Sequence, residues 1–306
     1  MAVTEPQPVP REAVLVINAK SRKGQKLFKQ ACVALTAAGI TLTEKHGLTD
    51  PAELIPTVDR AVKAGAKMVI VGGGDGSLSC TVDSLVGSDC VYGILPLGTA
   101  NSFARTLGIP LDLDGAVRVI ATGQRKRIDL GMIDGDYFAN CAAVGISPLI
   151  AETVPHNLKK VLGRVGYLGW AAYQMTRFKP FQLSITRNGE TETIAALEVR
   201  IANGPYHGGA ELVDDAAVDS GEIVIQAVVG RTRAYLLWSW LATILKLRSR
   251  KHTTREFHGR EMRVVTDPPL SISIDGEVLA KTPVTARVAS AVIEVVVPGE
   301  EQRSAA

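Results

Sequence analysis

Met68-Val69-Ile70-Val71-Gly72-Gly73-Gly74-Asp75-Gly76-Ser77 is the stretch that decides the fold. Its uncharged apolar start reads as a strand buried on both faces, and the glycine run after it as a turn at the strand's carboxyl end. Glycine takes positive φ without penalty and lets the main chain approach a ligand, so successive N–H groups in such a turn converge on one anion. A nucleotide phosphate is the natural guest. Leu78 to Leu85 reads as a helix whose first N–H groups and dipole add to the same anion site. Gly-Asp-Gly by itself also makes ordinary tight turns. The run has neither a Gly-Lys-Ser/Thr ending nor Gly-x-Gly-x-x-Gly spacing, so the two commonest phosphate motifs are excluded.

Strand and helix patterns alternate on either side of this turn. Ala13 to Asn18 is an apolar run ending in a polar residue, Lys26 to Ala38 has helical spacing with Gly39 after it, and Ile40 to Thr43 reads as the next strand. Asp50-Pro51 opens a helix over 52–64 that Gly65 closes, and Val91 to Pro96 is a further buried strand. This rhythm predicts a doubly wound, mostly parallel sheet whose ligands sit beyond the carboxyl ends of the strands, the edge shared by Asn18, Gly72 to Ser77 and Leu97 to Asn101. From about Arg127 the pattern changes to short alternating runs, with Asp134-Gly135 and Asn188-Gly189 as hairpin turns. The expectation is an α/β nucleotide-binding domain over 11–127 followed by an antiparallel β-sandwich domain over 128–283. The last run, within 284–300, is left to return to either, and residues 1–10 read as a disordered tail.

Composition bounds the function. With 306 residues, 46% hydrophobic and 21% charged, the chain is long enough for two cores of about 130–170 residues. A net charge of +3 does not suggest a nucleic-acid partner. Cys32, Cys80, Cys90 and Cys141 are scattered without Cys-x-x-Cys spacing, as reduced thiols in a cytoplasmic protein are. Met1 to Pro10 has no signal-peptide pattern, and the longest apolar stretch, 234–247, falls short of the roughly 20 residues a membrane-spanning helix needs.

Pro96-Leu97-Gly98-Thr99-Ala100-Asn101-Ser102-Phe103-Ala104-Arg105 follows its strand as the first turn follows its own. Gly98 supplies backbone freedom, Thr99 a hydroxyl, and Asn101 or Ser102 a helix cap that also points toward a ligand. One such segment alone reads more readily as simple capping. Two from adjacent strands facing one edge make a phosphate cleft.

Here the sequence resembles the diacylglycerol kinase catalytic-domain family of bacterial lipid kinases, related to sphingosine and ceramide kinases and distantly similar to NAD kinases and phosphofructokinases. The resemblance covers nearly the whole chain. It is carried by Gly73-Gly74-Asp75-Gly76-Ser77, Pro96 to Arg105, Ile128-Asp129-Leu130-Gly131, Phe138-Ala139-Asn140 with Gly145, and Ile274-Asp275-Gly276-Glu277. It implies an ATP and lipid cleft between the two domains. ATP and Mg2+ are the implied cofactors. The implied ATP contacts are Gly72, Gly73, Gly74, Asp75, Gly76, Ser77, Gly98, Thr99 and Asn101, with Asn18 and Thr43 in support.

Phosphoryl transfer needs positioning, charge neutralisation and an acceptor for the hydroxyl proton. Asp75, an anion placed among phosphates, makes sense as a magnesium partner or as an acceptor for a hydroxyl. On the residues alone Glu277 is ordinary hairpin chemistry. By resemblance it is the general base, and Asp275 its electrostatic or magnesium-linked partner. Two segments depart from the family. Asn18-Ala19-Lys20-Ser21 stands for Asn-Pro-x-Ser, and Asp219-Ser220-Gly221 for the Asp-Asp-Gly with which many members hold a structural magnesium. A hydroxyl adds no charge to a hard cation, so a metal at Asp219 is expected to be weak or absent.

Lys159, Lys160, Arg164, Arg177 and Lys179 lie in a stretch, 157–186, without an acidic residue. Between 231 and 263 nine Lys or Arg face two acidic residues around Trp238 and Trp240. Both segments read as core helices with charged ends or as surfaces for anionic lipid headgroups. A lipid substrate, which must be met at a bilayer, favours the second reading and a peripheral membrane location. His207 is a candidate headgroup contact or a structural loop residue. A homodimer stays open, as does the choice among diacylglycerol, ceramide and a related lipid. The competing functions are a kinase of a soluble substrate like NAD kinase and an inactive lipid- or nucleotide-binding protein.

Overall fold

The computed structural model describes residues 7–153, 169–170, 173–174, 178–230, 253–275, 277–299 and 302. The N-terminal half contains β1 (Glu12–Asn18), α1 (Arg22–Ala37), β2 (Thr41–Leu48), α2 (Leu54–Lys63), β3 (Met68–Gly73), α3 (Asp75–Ser79), β4 (Val91–Pro96), α4 (Ser102–Thr106) and α5 (Leu113–Thr122). The four strands are parallel in the order β2-β1-β3-β4. Every residue of β3 and β4 is buried, as a central strand covered on both faces requires. Helix α1 packs beside α5, and α2 packs on β1 and the 3-10 turn at Asp83–Leu85. The sheet is thus doubly wound, and its order reverses between β1 and β3, where the crevice of such a sheet opens.

Local chemistry explains the ends of these helices. Ser21 caps α1 by accepting the Gly24 N–H at 3.0 Å, Asp50 accepts that of Ala52 at 3.0 Å, and Gly39 and Gly65 take φ of +81° and +82° just past α1 and α2. Leu54, Thr57, Val58 and Ala61 form the buried stripe of α2. Val9, expected in a disordered tail, packs against this core.

The second half contains β5 (Gln124–Ile133), β6 (Asp136–Phe138), β7 (Cys141–Gly145), α6 (Ile146–Thr153), β8 (Phe181–Arg187), β9 (Glu190–Ala202), β10 (Tyr206–His207), β11 (Ala210–Glu211), β12 (Ile223–Val229), β13 (Thr254–Gly259), β14 (Glu261–Asp267), β15 (Ser271–Ile274), β16 (Glu277–Lys281) and β17 (Val284–Val297). Its pairings are antiparallel, and Asp134-Gly135 and Asn188-Gly189 turn the β5–β6 and β8–β9 hairpins with positive φ, as expected. Strand β9 pairs with β8 along its first half and with β7 and β12 along its second, which joins the layers of a sandwich-like domain.

The final strand belongs to both halves. Val284 and Ala286 of β17 lie in the core of the β domain, whereas Ile293, Val295, Val296 and Val297 lie in that of the α/β domain. The same strand pairs with β14, with β5 and, in parallel, with β4, so one sheet runs through both domains. Asp129 fixes this crossing: its carboxylate accepts the Gly221 N–H at 2.7 Å and the Ala291 N–H at 2.8 Å.

Candidate active site

The loops after β1, β3 and β4 meet at one edge of the sheet. Gly72 and Gly73 are the last residues of β3, and Gly74, Asp75, Gly76 and Ser77 lead into and form the first turn of α3. The helix therefore starts three residues earlier than the sequence suggests and ends at Ser79, too short for a sizeable dipole. None of Gly72, Gly73, Gly74, Gly76 or Gly98 has positive φ. Small size, rather than unusual backbone angles, is what these positions require. A Cβ on Gly98 would lie 2.4 Å from the Gly74 Cα, and one on Gly72 would lie 2.7 Å from Ile17 Cγ1. The two glycine loops touch main chain to main chain, leaving Gly76, Gly98 and Thr99 exposed. Asn18 Nδ2 donates to Ser77 Oγ at 3.4 Å and brings the end of β1 to the same place.

Two expected ATP contacts are placed differently. Thr43 is an early residue of β2, which runs on to Leu48, and its hydroxyl donates to the Ala13 carbonyl at 3.2 Å. Since Leu48, not Thr43, is the β2 residue opposite Asn18, Thr43 lies at the far end of the sheet from the glycine loops. Asn101 is buried at φ 51°, with Oδ1 accepting the Gly98 N–H at 2.9 Å and Nδ2 donating to the Gly98 carbonyl at 3.2 Å. It shapes the loop that presents Thr99. The cap of α4 comes from the neighbouring glycine loop instead: Asp75 Oδ1 accepts the Phe103 N–H at 3.2 Å.

Asp75 also faces the β domain. A cavity of about 230 Å³ is lined by Asp75, Ser79, Ser102, Asn140, His207 and Asp275 together with Phe103, Ala139 and Gly208. Asp275, at φ 44°, accepts the Cys141 N–H on Oδ1 at 3.1 Å and the Ala139 N–H on Oδ2 at 2.9 Å. Ser79 of α3 donates its hydroxyl to the same Oδ2 and so ties the two domains together. Burial raises the Asp275 pKa above the usual carboxylate range, against the lowering effect of these hydrogen bonds. Protein donors thus sit on both oxygens of Asp275, which the sequence reading takes as the electrostatic or magnesium-linked partner of Glu277. Burial lowers the His207 pKa; Arg200 adds to the effect, and Glu198, Asp275 and Asp75 oppose it.

Glu277 begins β16 and pairs with Ile274 at the end of β15. The hairpin is anchored to β7 through Asp275, whose N–H also donates to the Cys141 carbonyl at 3.1 Å. Gly276 and the Glu277 side chain lie outside the described residues, as do most of the two basic aromatic segments.

The two metal expectations separate on donor chemistry. Asp75 fits a magnesium ion carried by a nucleotide: a carboxylate is a hard donor, and one N–H bond leaves lone pairs on both oxygens. Asp219 does not fit. Its Oδ2 lies 2.6 Å from Lys126 Nζ, and the single Ser220 hydroxyl proton lies between the Ala217 and Glu222 carbonyls, 2.9 and 3.1 Å from Oγ. Among the described residues all four cysteines are free. No described helix is long and apolar enough to cross a membrane.

Sequence reasoning missed Ser79 as the link between the domains, since a lone serine in Ser77-Leu78-Ser79 carries no signal. Asn140 stood in a quoted motif without a role, although its place beside Ala139, which bonds Asp275, makes it part of the same wall.

Comparison with known proteins agrees with this architecture. Residues 12–133 match the diacylglycerol kinase catalytic domain, and residues 140–297 match the YegS C-terminal NAD kinase beta sandwich-like domain. "Probable lipid kinase YegS-like" of Klebsiella pneumoniae (strain 342) is 32% identical over 75% of this chain and 78% of its own length. "Probable lipid kinase YegS" of Salmonella typhimurium is 32% identical over the same shares. The crystal structure of a diacylglycerol kinase from Bacillus anthracis superposes with a TM-score of 0.73 at 20% identity, covering 94% of this chain and 97% of the other, a likeness of fold. Two domains matched in order, over a cleft that joins Asp75 to Asp275, show that the chain belongs to the diacylglycerol kinase catalytic-domain family, in its YegS-like branch.

Proposed function

We propose that this protein is an ATP-dependent lipid kinase that transfers the γ-phosphate of ATP to a hydroxyl of diacylglycerol, ceramide or a related lipid at the cytoplasmic face of a membrane. One observation carries the reading: Asp75 belongs at once to the glycine cradle after β3 and to the cavity between the domains. A phosphate held by the Gly74–Ser77 and Gly98–Thr99 main chain would lie beside a carboxylate that reaches toward the acceptor. The attacking hydroxyl gives its proton to Glu277, its oxygen bonds to the γ-phosphorus, and the bond from that phosphorus to ADP breaks. Asp275 keeps the Glu277 hairpin in place. Magnesium arriving with ATP would be held by Asp75 and would neutralise phosphate charge.

Incubating the purified chain with γ-labelled ATP and, separately, mixed-micelle diacylglycerol, ceramide or NAD tests the proposal. Label in a lipid product supports it. Label in NAD alone, or in no acceptor, would overturn it.

A further inference from the structure

Away from the cleft, the loop between β11 and β12 is laid against one face of the β domain. Val213 and Ala216, 1% and 4% exposed, belong there to a small core with Val224 of β12. The Leu212 and Val213 N–H groups both donate to the Pro205 carbonyl, at 2.9 and 3.2 Å. With its neighbours held on both sides, Asp215 is carried to strand β13. Glu256 and His258 stand two residues apart on that strand, so they share a face, and they lie opposite Gln226 and Val224 of β12. One ligating atom from each of Asp215, Glu256 and His258 lies within 4.8 Å of the other two. Gln226 Nε2 donates to Glu256 Oε1 at 2.7 Å and to the Leu212 carbonyl at 3.1 Å, so one buried amide orients the carboxylate and ties the loop to its strand. Gln226 is itself fixed by Arg200, whose Nη1 donates to its Oε1 at 2.8 Å. Among the described residues no lysine or arginine pairs with any of the three groups, in contrast to the pairing of Asp219 with Lys126.

We propose that Asp215, Glu256 and His258 hold a divalent transition metal of the zinc class, which staples the 212–216 loop to β13. Two carboxylates this close repel each other, and a dication shared with the imidazole replaces that repulsion with attraction. The imidazole nitrogen selects the metal: magnesium and calcium take oxygen donors, whereas zinc accepts nitrogen and carboxylate oxygen together at about 2.0–2.2 Å. Three protein ligands leave the fourth tetrahedral position to water, and the exposed Asp215 lets the ion enter from solution. The Gln226 amide behind Glu256 is the kind of outer support that orients a metal-ligating carboxylate. The site is separate from the magnesium that arrives with ATP, and it holds whether or not the chain is a lipid kinase.

Calorimetric titration of the full chain with zinc chloride, after stripping with a chelator and dialysis to remove it, tests the site. The unmodified chain is expected to take up about one zinc ion, to keep it in excess magnesium, and to melt at a higher temperature with zinc than without. Asp215→Asn and His258→Gln should each weaken zinc binding by more than about tenfold and abolish the rise in melting temperature, while both metal-free variants still melt cooperatively and bind ATP as the unmodified chain does. Cobalt bound in place of zinc should absorb in the visible without a thiolate charge-transfer band, which separates this site from the four free cysteines. Zinc uptake that is unchanged in both variants, a thiolate band, or no uptake by the unmodified chain would overturn the proposal. Displacement of zinc by an equal concentration of magnesium would overturn it too.

Discussion

At Gly98 the space for a side chain is already occupied by another main chain. Alanine there would place its Cβ 2.4 Å from the Gly74 Cα, and neither loop can yield by rotating a side chain. Gly98→Ala is expected to cost about 1–3 kcal/mol of stability and to weaken ATP binding by more than tenfold, read by thermal melting and nucleotide titration. Asp75→Asn removes a charge but keeps the size, so about 1 kcal/mol is lost from the cap on Phe103 while turnover falls by about 10²–10³-fold. His207 sets a pH dependence. Its folded pKa lies below the unfolded one, so its contribution to stability is present above about pH 6.5 and is lost as pH falls through the depressed value. Melting curves between pH 7.5 and 5 should show a smaller acid loss in His207→Gln than in the unmodified chain.

Among the elements, the short helix α3 does more than cradle phosphate. Its Ser79 hydroxyl reaches Asp275 at the base of the β15–β16 hairpin, so the phosphate loop and the Glu277 position share one support. Ser79→Ala should cost about 1 kcal/mol and lower turnover more than it raises the KM for ATP, because it loosens the second domain and not the cradle. Such elements were unequally legible in the sequence. The buried runs of β1, β3 and β4 and the positive-φ hairpins at Asp134 and Asn188 follow from local chemistry, and the sequence reading finds them. Strand β2 runs on to Leu48, past the Ile40 to Thr43 that the sequence suggests, which puts Thr43 at the other end of the sheet: its continuation, Glu44 to His46, lacks the apolar signal of a buried strand. The double allegiance of β17 is invisible locally, because it depends on pairing with β14 at one end and with β4, far earlier in the chain, at the other.

Across the whole molecule, one sheet and one cleft join two domains, and the glycine motifs account for only half of the cleft. The other half, Asn140, His207 and Asp275, is assembled from three segments spread over the β domain, and their proximity is a product of topology that no spacing rule reveals. At the loop over Ala217–Glu222 the Lys126 ammonium pairs with Asp219 and Ser220 adds no charge, so stability is expected not to depend on a metal bound there. Removal of magnesium by exhaustive dialysis is expected to leave the melting temperature unchanged, and tightly bound stoichiometric magnesium in the purified chain would contradict that. The central claim is that the cleft at Asp75 passes phosphate from ATP to a lipid hydroxyl. It is tested most directly by thin-layer separation of the lipid extract after incubation with γ-labelled ATP and dioctanoylglycerol. The account predicts a labelled phosphatidate that Glu277→Gln and Asp75→Asn each reduce by at least about 10²-fold while both variants stay folded. An unlabelled lipid extract, or undiminished label with the folded Asp75→Asn variant, would contradict it.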